Sequence, residues 1–565
     1  MTLKIKNSIH IYVLSSFTGL VTGCFVILFS KFLSFTESIF PFFYFSQNSI
    51  ISSGFHLQVF ALPIIGGLLV GLITHYFCPE AKGNGIDNVL EAFHDKEGEM
   101  RGRISIFKAI VTILTLSSGG SAGKEGPAAQ IGASIGSKIS DLFGGGARAR
   151  RAMLLAGASA SLGTIFQAPL GGAITAIEMV YKEDIESDAL IPSIISSISA
   201  YFLLSFFGII HRDFFSLKEL SVVYLPIYPL LGFICFIVGF ILVKSIKTLK
   251  KQFQNWKIYP PFKPAIGGLI CGLIYLFFPV VSGTGENYVH SFLLEPIIRS
   301  SMPQNDLMFF IFAVIGLKVI ATGFTIASGG SGGIFGPSIF LGGTIGMLVA
   351  EFASLYYRVD PLHYQSFILV GMGAFYAGVA SAPIAAMIMV CEMTGSYVLL
   401  PPLMICSILV VLLSKKLNLY QSQTRDRFHS PAHSWDIQTD LLKSMEVFRY
   451  KKYFHHTSVF SVNTHFSKIH KLAGELDEKD FIMVNEDNVY LGMISSHKLL
   501  KINSKKILLA SISAITPIRM NQHIGDVLSL LKEKNLDKAP VVNEEGVFIG
   551  YLRYHEILEL YYAKN

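Results

Sequence analysis

The chain has 565 residues, 51% of them hydrophobic and only 15% charged, with a formal net charge of +7. A soluble protein carries roughly a quarter charged residues, so this composition, with a mean hydropathy of +0.51, excludes a chain that is soluble throughout. The positive balance is the loop bias of a membrane protein and does not indicate a nucleic-acid partner.

From about Ile11 to Leu413 apolar runs alternate with short polar breaks, and from Lys415 onward the chain turns polar. This shift predicts an all-α polytopic membrane domain over 1–425 and a small α/β domain over 426–565. The first apolar run follows Lys4 and Lys6 but is too long for a signal peptide, with no small-residue cleavage pattern before Lys31, so it is expected to be a retained helix. Those lysines, with Lys415 and Lys416 at the other end, predict a multi-pass protein of the inner cell membrane with both termini cytoplasmic. Six cysteines stand singly in apolar runs without a CxxC, which supports neither a disulfide framework nor a metal site.

The membrane domain repeats itself, over about 55–200 and 260–413. LPIIGGLLVGLI from Leu62 resembles KPAIGGLICGLI from Lys263, and each leads into a G-x-G, Gly83-Asn84-Gly85 and Gly283-Thr284-Gly285. GGSAGKEGP at 119–127 returns as GGSGGIFGP at 329–337, an offset of 210 (329 − 119) that Lys108 and Lys318 share. Ala168-Pro169 and Glu178 return as Ala382-Pro383 and Glu392, an offset of 214 (392 − 178). Duplicated apolar halves interrupted by Gly and Pro at matching places point to a transporter's binding site. Residues 119–137 and 329–346 are too short or glycine-rich to cross a bilayer, which takes ~20 apolar residues, and so predict half-helices ending inside the membrane.

Proline suits the first turn of a helix, so helices are expected to start near Pro127 and Pro337, with the amides of Gly123 to Gly126 and of Gly333 to Gly336 directed out of their ends. Each start carries roughly +0.5 of an elementary charge and is a ready anion site. Two such starts meeting at mid-membrane would hold an anion without a fixed lysine or arginine. Glu125 stands where the second copy has Phe335. A carboxylate in a membrane costs about 2.5 kcal/mol or more and marks function by default; here it can act as a tethered competitor for the anion, released by protonation. The alternative is a capping glutamate at the membrane surface. SAGKEG is not a phosphate loop, because Ser118 and Glu125 stand where that motif needs Gly and Ser/Thr.

GKEGP at 123–127, GIFGP at 333–337, G-x-G-I at 83–86 and EMTGSY at 392–397 resemble, in order and spacing, the signature segments of the CLC chloride channel and transporter family. The resemblance spans nearly the whole membrane domain. It implies an inverted-repeat CLC-type fold with broken helices, one anion pore per subunit and a homodimer in the lipid bilayer. It also implies Glu125 as the gating glutamate, with Gly123, Lys124 and Gly126 around it, Ile334 and Phe335 lining the anion path, and Tyr397 offering its phenol to a central anion. Asn84, with Gly85 and Ile86, takes the place the family usually gives to a serine, and Asp87 replaces the usual proline. A retained Tyr397 argues against the fluoride-exporting branch. Family exchangers commonly place a proton-passing glutamate where this chain has Met179, whose thioether binds no proton. That favours a passive chloride channel, with chloride/proton antiport as the alternative, while Glu178 and Glu392 are read as structural.

FIMVNEDNVYLGMISSHKLL (481–500) and APVVNEEGVFIGYLRYHEIL (539–558) each read as strand, turn, strand and helix start, and resemble a pair of CBS domains. Members that bind adenine nucleotides typically carry S/T-x-x-D after the second strand. Ser495 to Lys498 lacks the acid and Arg553 to Glu556 lacks the hydroxyl, so no cofactor is expected, and a structural dimerisation role stands beside nucleotide binding. An enzyme finds no support, since no metal-ligand set, Ser/His/Asp grouping or nucleotide loop occurs. A cation-coupled solute carrier would need a carboxylate or carbonyl cluster that is not evident.

Overall fold

The computed structural model describes residues 2–39, 57–209, 222–285, 288–289, 304–357, 361–415, 419–433, 445–457, 459–465, 471, 478, 480–499, 512–533, 536–553 and 556–557. It divides into two compact units, Met1–Ala432 and His433–Asn565.

The first unit is helical. Its helices are α1 Thr2–Ile39, α2 Leu57–Tyr76, α3 Ile86–Asp95, α4 Arg103–Ser117, α5 Glu125–Leu142, α6 Ala147–Phe166, α7 Pro169–Glu178 and α8 Leu190–Phe206 in the first half. The second half has α9 Tyr228–Asn255, α10 Lys263–Tyr275, α11 Gln304–Ala327, α12 Phe335–Tyr357, α13 Pro361–Ala380, α14 Pro383–Thr394 and α15 Leu400–Ser414. Among the described residues, six helical stretches are long and apolar enough to cross a membrane, including His10–Ile39, Val223–Asn255 and Phe335–Leu355. Large apolar side chains such as Phe35, Phe202, Phe277 and Phe309 are exposed, whereas Ser121, Ser134, Ser159, Thr112 and Thr322 are fully buried. Apolar outside and small polar inside is the arrangement a lipid solvent favours, because helices associate there through small residues and internal hydrogen bonds.

The two halves clasp each other through equivalent elements. α2 and α10 cross where Gly67 and Gly268 leave no room for a side chain, since a Cβ would stand 2.4 Å from Pro264 O and 2.0 Å from Pro63 O respectively. α5 packs on α6 as α12 packs on α13. The expectation that 329–346 is too short fails here, because α12 runs for 23 residues. Its glycines serve helix contact, with Gly342 and Gly346 lying against the Gly371 and Phe367 carbonyls. Both α5 and α12 nevertheless begin inside the unit, at the buried Glu125 and Phe335, two residues before the prolines. An N-terminal boundary two residues off is the ordinary scatter of such assignments.

The second unit holds two three-stranded sheets of the same design: β1 Val459–Ser461, β2 Asp480–Val484 and β3 Tyr490–Ser495, then β4 Ile518–Arg519, β5 Lys538–Val542 and β6 Phe548–Arg553. In each, a parallel pair is followed by an antiparallel hairpin, with a bulge at Met483/Val484 and at Val541/Val542. The hairpin turns meet, Tyr490 N–H donating to Gly546 O at 3.1 Å and Phe548 N–H to Asn488 O at 2.8 Å. The two similar half-units therefore form one pseudo-symmetric body with helix α16 Ser496–Leu499 after β3 and α17 Ile524–Glu533 before β5.

Candidate functional site

The glycine tips of the two repeats are joined. Gly123 N–H donates to Gly333 O at 2.7 Å and Gly333 N–H to Gly123 O at 2.6 Å. Around this two-residue bridge the same bonds recur in exchange. Ser121 Oγ lies 3.0 Å from Thr322 Oγ1, and Ser331 Oγ 2.9 Å from Thr112 Oγ1. Ser121 N–H donates to Thr325 Oγ1 at 3.1 Å, and Ser331 N–H to Thr115 Oγ1 at 3.2 Å. The fully buried Lys108 ammonium donates to Ala81 O and Gly83 O at 3.0 and 2.7 Å, and Lys318 to Val281 O and Gly283 O, both at 3.0 Å. Each lysine satisfies carbonyls of the G-x-G loop of its own half, so the broken backbone is paired without water.

The bridge corrects one expectation. Gly123 and Gly333 do not direct their amides outward, because each is spent on the other. The helix of each tip opens on the next turn, Lys124 to Gly126 and Ile334 to Gly336. There Glu125, 3% exposed, accepts from Gly336 N–H through Oε2 at 3.2 Å. The carboxylate of one repeat thus sits on an amide at the helix start of the other.

Gly126 shows how closely three segments converge: a Cβ would stand 2.4 Å from Asn84 O and 3.1 Å from Gly333 Cα. Gly85 keeps φ at 85° and begins α3, and Asn84 Oδ1 accepts from Asp87 N–H at 3.4 Å. Asp87 Oδ1 in turn accepts from Gln421 N–H at 2.8 Å. Asn84 therefore braces the first turn of α3, and Asp87 anchors the segment after α15.

Two cavities flank the tip. One, of about 280 Å³, is walled by Lys124, Glu125, Phe335, Gly336 and Tyr376 among others. The other, of about 520 Å³, is walled by Asn84, Gly85, Asp87, Ile334 and four lysines, Lys82, Lys247, Lys250 and Lys263. Ile334 faces the second cavity and Phe335 the first, so the Gly-Ile-Phe-Gly turn divides them. Ile86 packs half-buried against both apolar cores.

Tyr397 is not part of this site. Gly395 ends α14 in the left-handed region, the chain turns outward, and the Tyr397 side chain is 76% exposed. The inference against fluoride export that rested on it falls with it. Two buried phenols stand where it was expected. Tyr376 lies edge-on to Phe335 at 4.4 Å, and Tyr420, 4% exposed, directly precedes Gln421, whose N–H donates to Asp87 Oδ1. In the sequence Tyr376 reads as one apolar residue of a helical run and Tyr420 as the end of one, so only packing distinguishes them. Met179 is 1% exposed at the end of α7, its carbonyl accepting from Gln423 Nε2 at 2.9 Å.

Glu178 and Glu392 belong to the scaffold. Glu178 accepts from Ile384 and Ala385 N–H at 3.0 and 2.7 Å, and Glu392 from Leu170 and Gly171 N–H at 3.2 and 2.7 Å. Each closes the start of the helix that carries the other, α14 and α7, where a carboxylate is favoured by orphan amides and by the helix dipole.

Reciprocal halves, helix starts meeting in the interior and a carboxylate held between them define a membrane transport protein of the duplicated, broken-helix class. The family described as voltage gated chloride channel matches residues 66–415, and the CBS domain family matches 511–563; the chain belongs to the voltage gated chloride channel family. It is 28% identical over 372 residues to the voltage-gated ClC-type chloride channel ClcB of Escherichia coli, covering 64% of this chain and 86% of that one. With a ClcB-like chloride channel protein of Ralstonia nicotianae it shares 30% identity over 359 residues, 61% of this chain and 80% of the relative. Among solved structures it resembles a slow cyanobacterial Cl⁻/H⁺ antiporter (TM-score 0.60, 21% identity, 73% of this chain and 96% of that one). A CLC-type fluoride/proton antiporter is similar to a like degree (TM-score 0.62, 20% identity, 74% and 98%). These likenesses confirm the fold: a helical CLC-type membrane region with a small α/β CBS pair at the C-terminus.

Proposed function

We propose that this CLC-family chain conducts chloride through a pore gated by Glu125. The observation that carries this reading is the Glu125 carboxylate on the Gly336 amide at 3.2 Å, a tethered anion in the place where a helix start of the other repeat attracts a free one. Chloride competing for that amide, or a proton neutralising the carboxylate, releases the side chain and opens the route between the two cavities. Met179 supports passive conduction, since a buried thioether ends the usual proton path from the lysine-lined side. Antiport is the second reading, supported by the antiporters among the structural neighbours.

The lysine-lined mouth and both termini face the cytoplasm in this reading, two chains pair in the bilayer, and the C-terminal unit works without a cofactor. Glu556, the acid at the second nucleotide-type position, is engaged by His455 Nε2 at 2.5 Å, which supports the last point.

The test is the reversal potential of reconstituted protein under opposed chloride and pH gradients. A value at the chloride equilibrium supports a channel, whereas displacement by the pH gradient overturns it in favour of exchange. Absence of chloride flux, with substrate uptake that requires sodium, would overturn both.

A further inference from the structure

Behind Met179 lies a buried polar cluster that the anion pathway does not use. His94, on the last turn of α3, is 2% exposed, as are Ser430 and Glu186, and Tyr181 is fully buried. His94 Nδ1 is 2.7 Å from Ser430 Oγ and Nε2 is 3.2 Å from Val180 O. The Tyr181 ring stands 5.7 Å from the His94 ring, and its phenol donates to Glu186 Oε2 at 2.7 Å. Four groups able to carry or pass a proton are therefore gathered in one buried cluster beside the residue that follows Met179. We propose that His94 is a proton-binding site of this protein and that its occupancy sets the transport rate from the face onto which the lysine-lined mouth opens. The proposal rests on the anion-pathway reading and adds to it a proton site that needs no acid at position 179.

The bonding fixes both states. Val180 O can only accept, so Nε2 carries hydrogen, and in the neutral ring Nδ1 accepts from the Ser430 hydroxyl. When Nδ1 takes a proton it becomes the donor. Ser430 Oγ, which already accepts from Ala432 N–H at 3.2 Å, then accepts from the ring as well, and its own hydrogen turns away from the ring. Tyr181 keeps donating to Glu186. The His94–Ser430 bond reverses direction while the bonds to Val180 O and Glu186 keep theirs, so the ring is satisfied in both states, as a buried polar group requires.

The charge is placed to be tolerated and to matter. An imidazolium at a helix C-terminus is stabilised by the helix dipole, and the buried Glu186 carboxylate at the far side of the cluster balances it. Facing groups from the packed elements are Arg427, which bonds Asp188 at 3.1 Å and interacts with Glu186 and Tyr181, and Arg151 of α6, whose Nε and Nη1 donate to Phe93 O and Ala432 O, both at 3.0 Å. Asp188 is shared with Arg148 at 2.9 Å. Both arginines are thus committed to acceptors. The first turn of the same helix carries Ile86 and Asp87 at the mouth, about 12 Å from the last at 1.5 Å per residue. A positive charge on His94 draws anions toward that mouth and tightens the docking of residues 427–432 on α3.

The experiment is anion flux of the full chain in liposomes as the pH on each face is varied, in wild type, in Glu125→Gln, and in Glu125→Gln with His94→Gln or Ser430→Ala. With the gate carboxylate gone, the remaining pH dependence is expected on the lysine-mouth face alone. The rate should rise at least about twofold as the pH on that face falls. His94→Gln should flatten that profile, and Ser430→Ala, which keeps the imidazole and removes its partner, should shift its midpoint. A flat profile in Glu125→Gln, or an unchanged one on adding His94→Gln, overturns the proposal. Should His94→Gln fail to fold, an unchanged midpoint in Ser430→Ala does the same. Wild-type protein without anion flux would instead sink the pathway reading itself.

Discussion

Glu125→Gln keeps an oxygen for Gly336 N–H and removes the charge, so the side chain no longer competes as an anion. Flux is expected to change severalfold and to lose the pH dependence set by this gate, as measured by chloride efflux at several pH values. Gly126→Ala is the stricter test of geometry. Its Cβ would stand 2.4 Å from the Asn84 carbonyl oxygen, a backbone atom that cannot swing aside, so the three-way contact must open. Overpacking of this kind costs about 1–3 kcal/mol, and chloride flux per folded protein should fall at least about tenfold. A flux within twofold of wild type would show that the tips need not touch. Legibility at this scale was uneven. Glu125, Ile334 and Phe335 were evident because backbone amides at a helix start depend on motif position rather than on side-chain packing. Tyr397 misled for the opposite reason: whether a phenol reaches a cavity depends on where the chain turns after Gly395, and nothing in the residue types around it records that turn.

Among elements, the pairs related by the repeat are the most informative. Glu178 and Glu392 each tie two helix-start amides of the opposite half. Removing the Glu178 carboxylate strands one buried and one part-buried donor, which costs on the order of 2–3 kcal/mol, whereas the Glu392 bonds, exposed and part-buried, are worth less. Glu178→Ala should therefore lower the thermal midpoint in detergent by several degrees, and Glu178→Gln, which retains one acceptor, by less. Neither should move the pH profile of flux. A shifted profile without loss of stability would turn Glu178 into a proton carrier. The order of helices and the duplication were legible because apolar runs and Gly/Pro breaks recur at fixed offsets. The length of α12 was not, since glycines that let α12 approach α13 have the same appearance in a sequence as glycines that break a helix.

For the whole molecule, the asymmetry of charge between the two cavities matters most. Four lysines against Asp87 surround the larger one, whereas the smaller pairs Lys124 with Glu125. A mouth lined by one sign raises the local counter-ion concentration, and salt screens this over ~10 Å at 0.1 M but ~30 Å at 0.01 M. The double variant Lys247→Gln, Lys250→Gln should cut chloride flux severalfold at low ionic strength and leave it nearly unchanged at 1 M salt. An equal loss at both would mean that the lysines act through structure. The division into two units was legible as a change in polarity, but the charge asymmetry of the mouths was not, because Lys82, Lys247 and Lys263 lie far apart along the chain. One consequence concerns biogenesis. The amide of Leu170 is closed by a carboxylate that follows 222 residues later, so a ribosome finishing the first half releases a piece whose stopper has yet to be made. Co-expressed fragments cut between the halves should accumulate together and be degraded when made alone, each half acting as the other's chaperone.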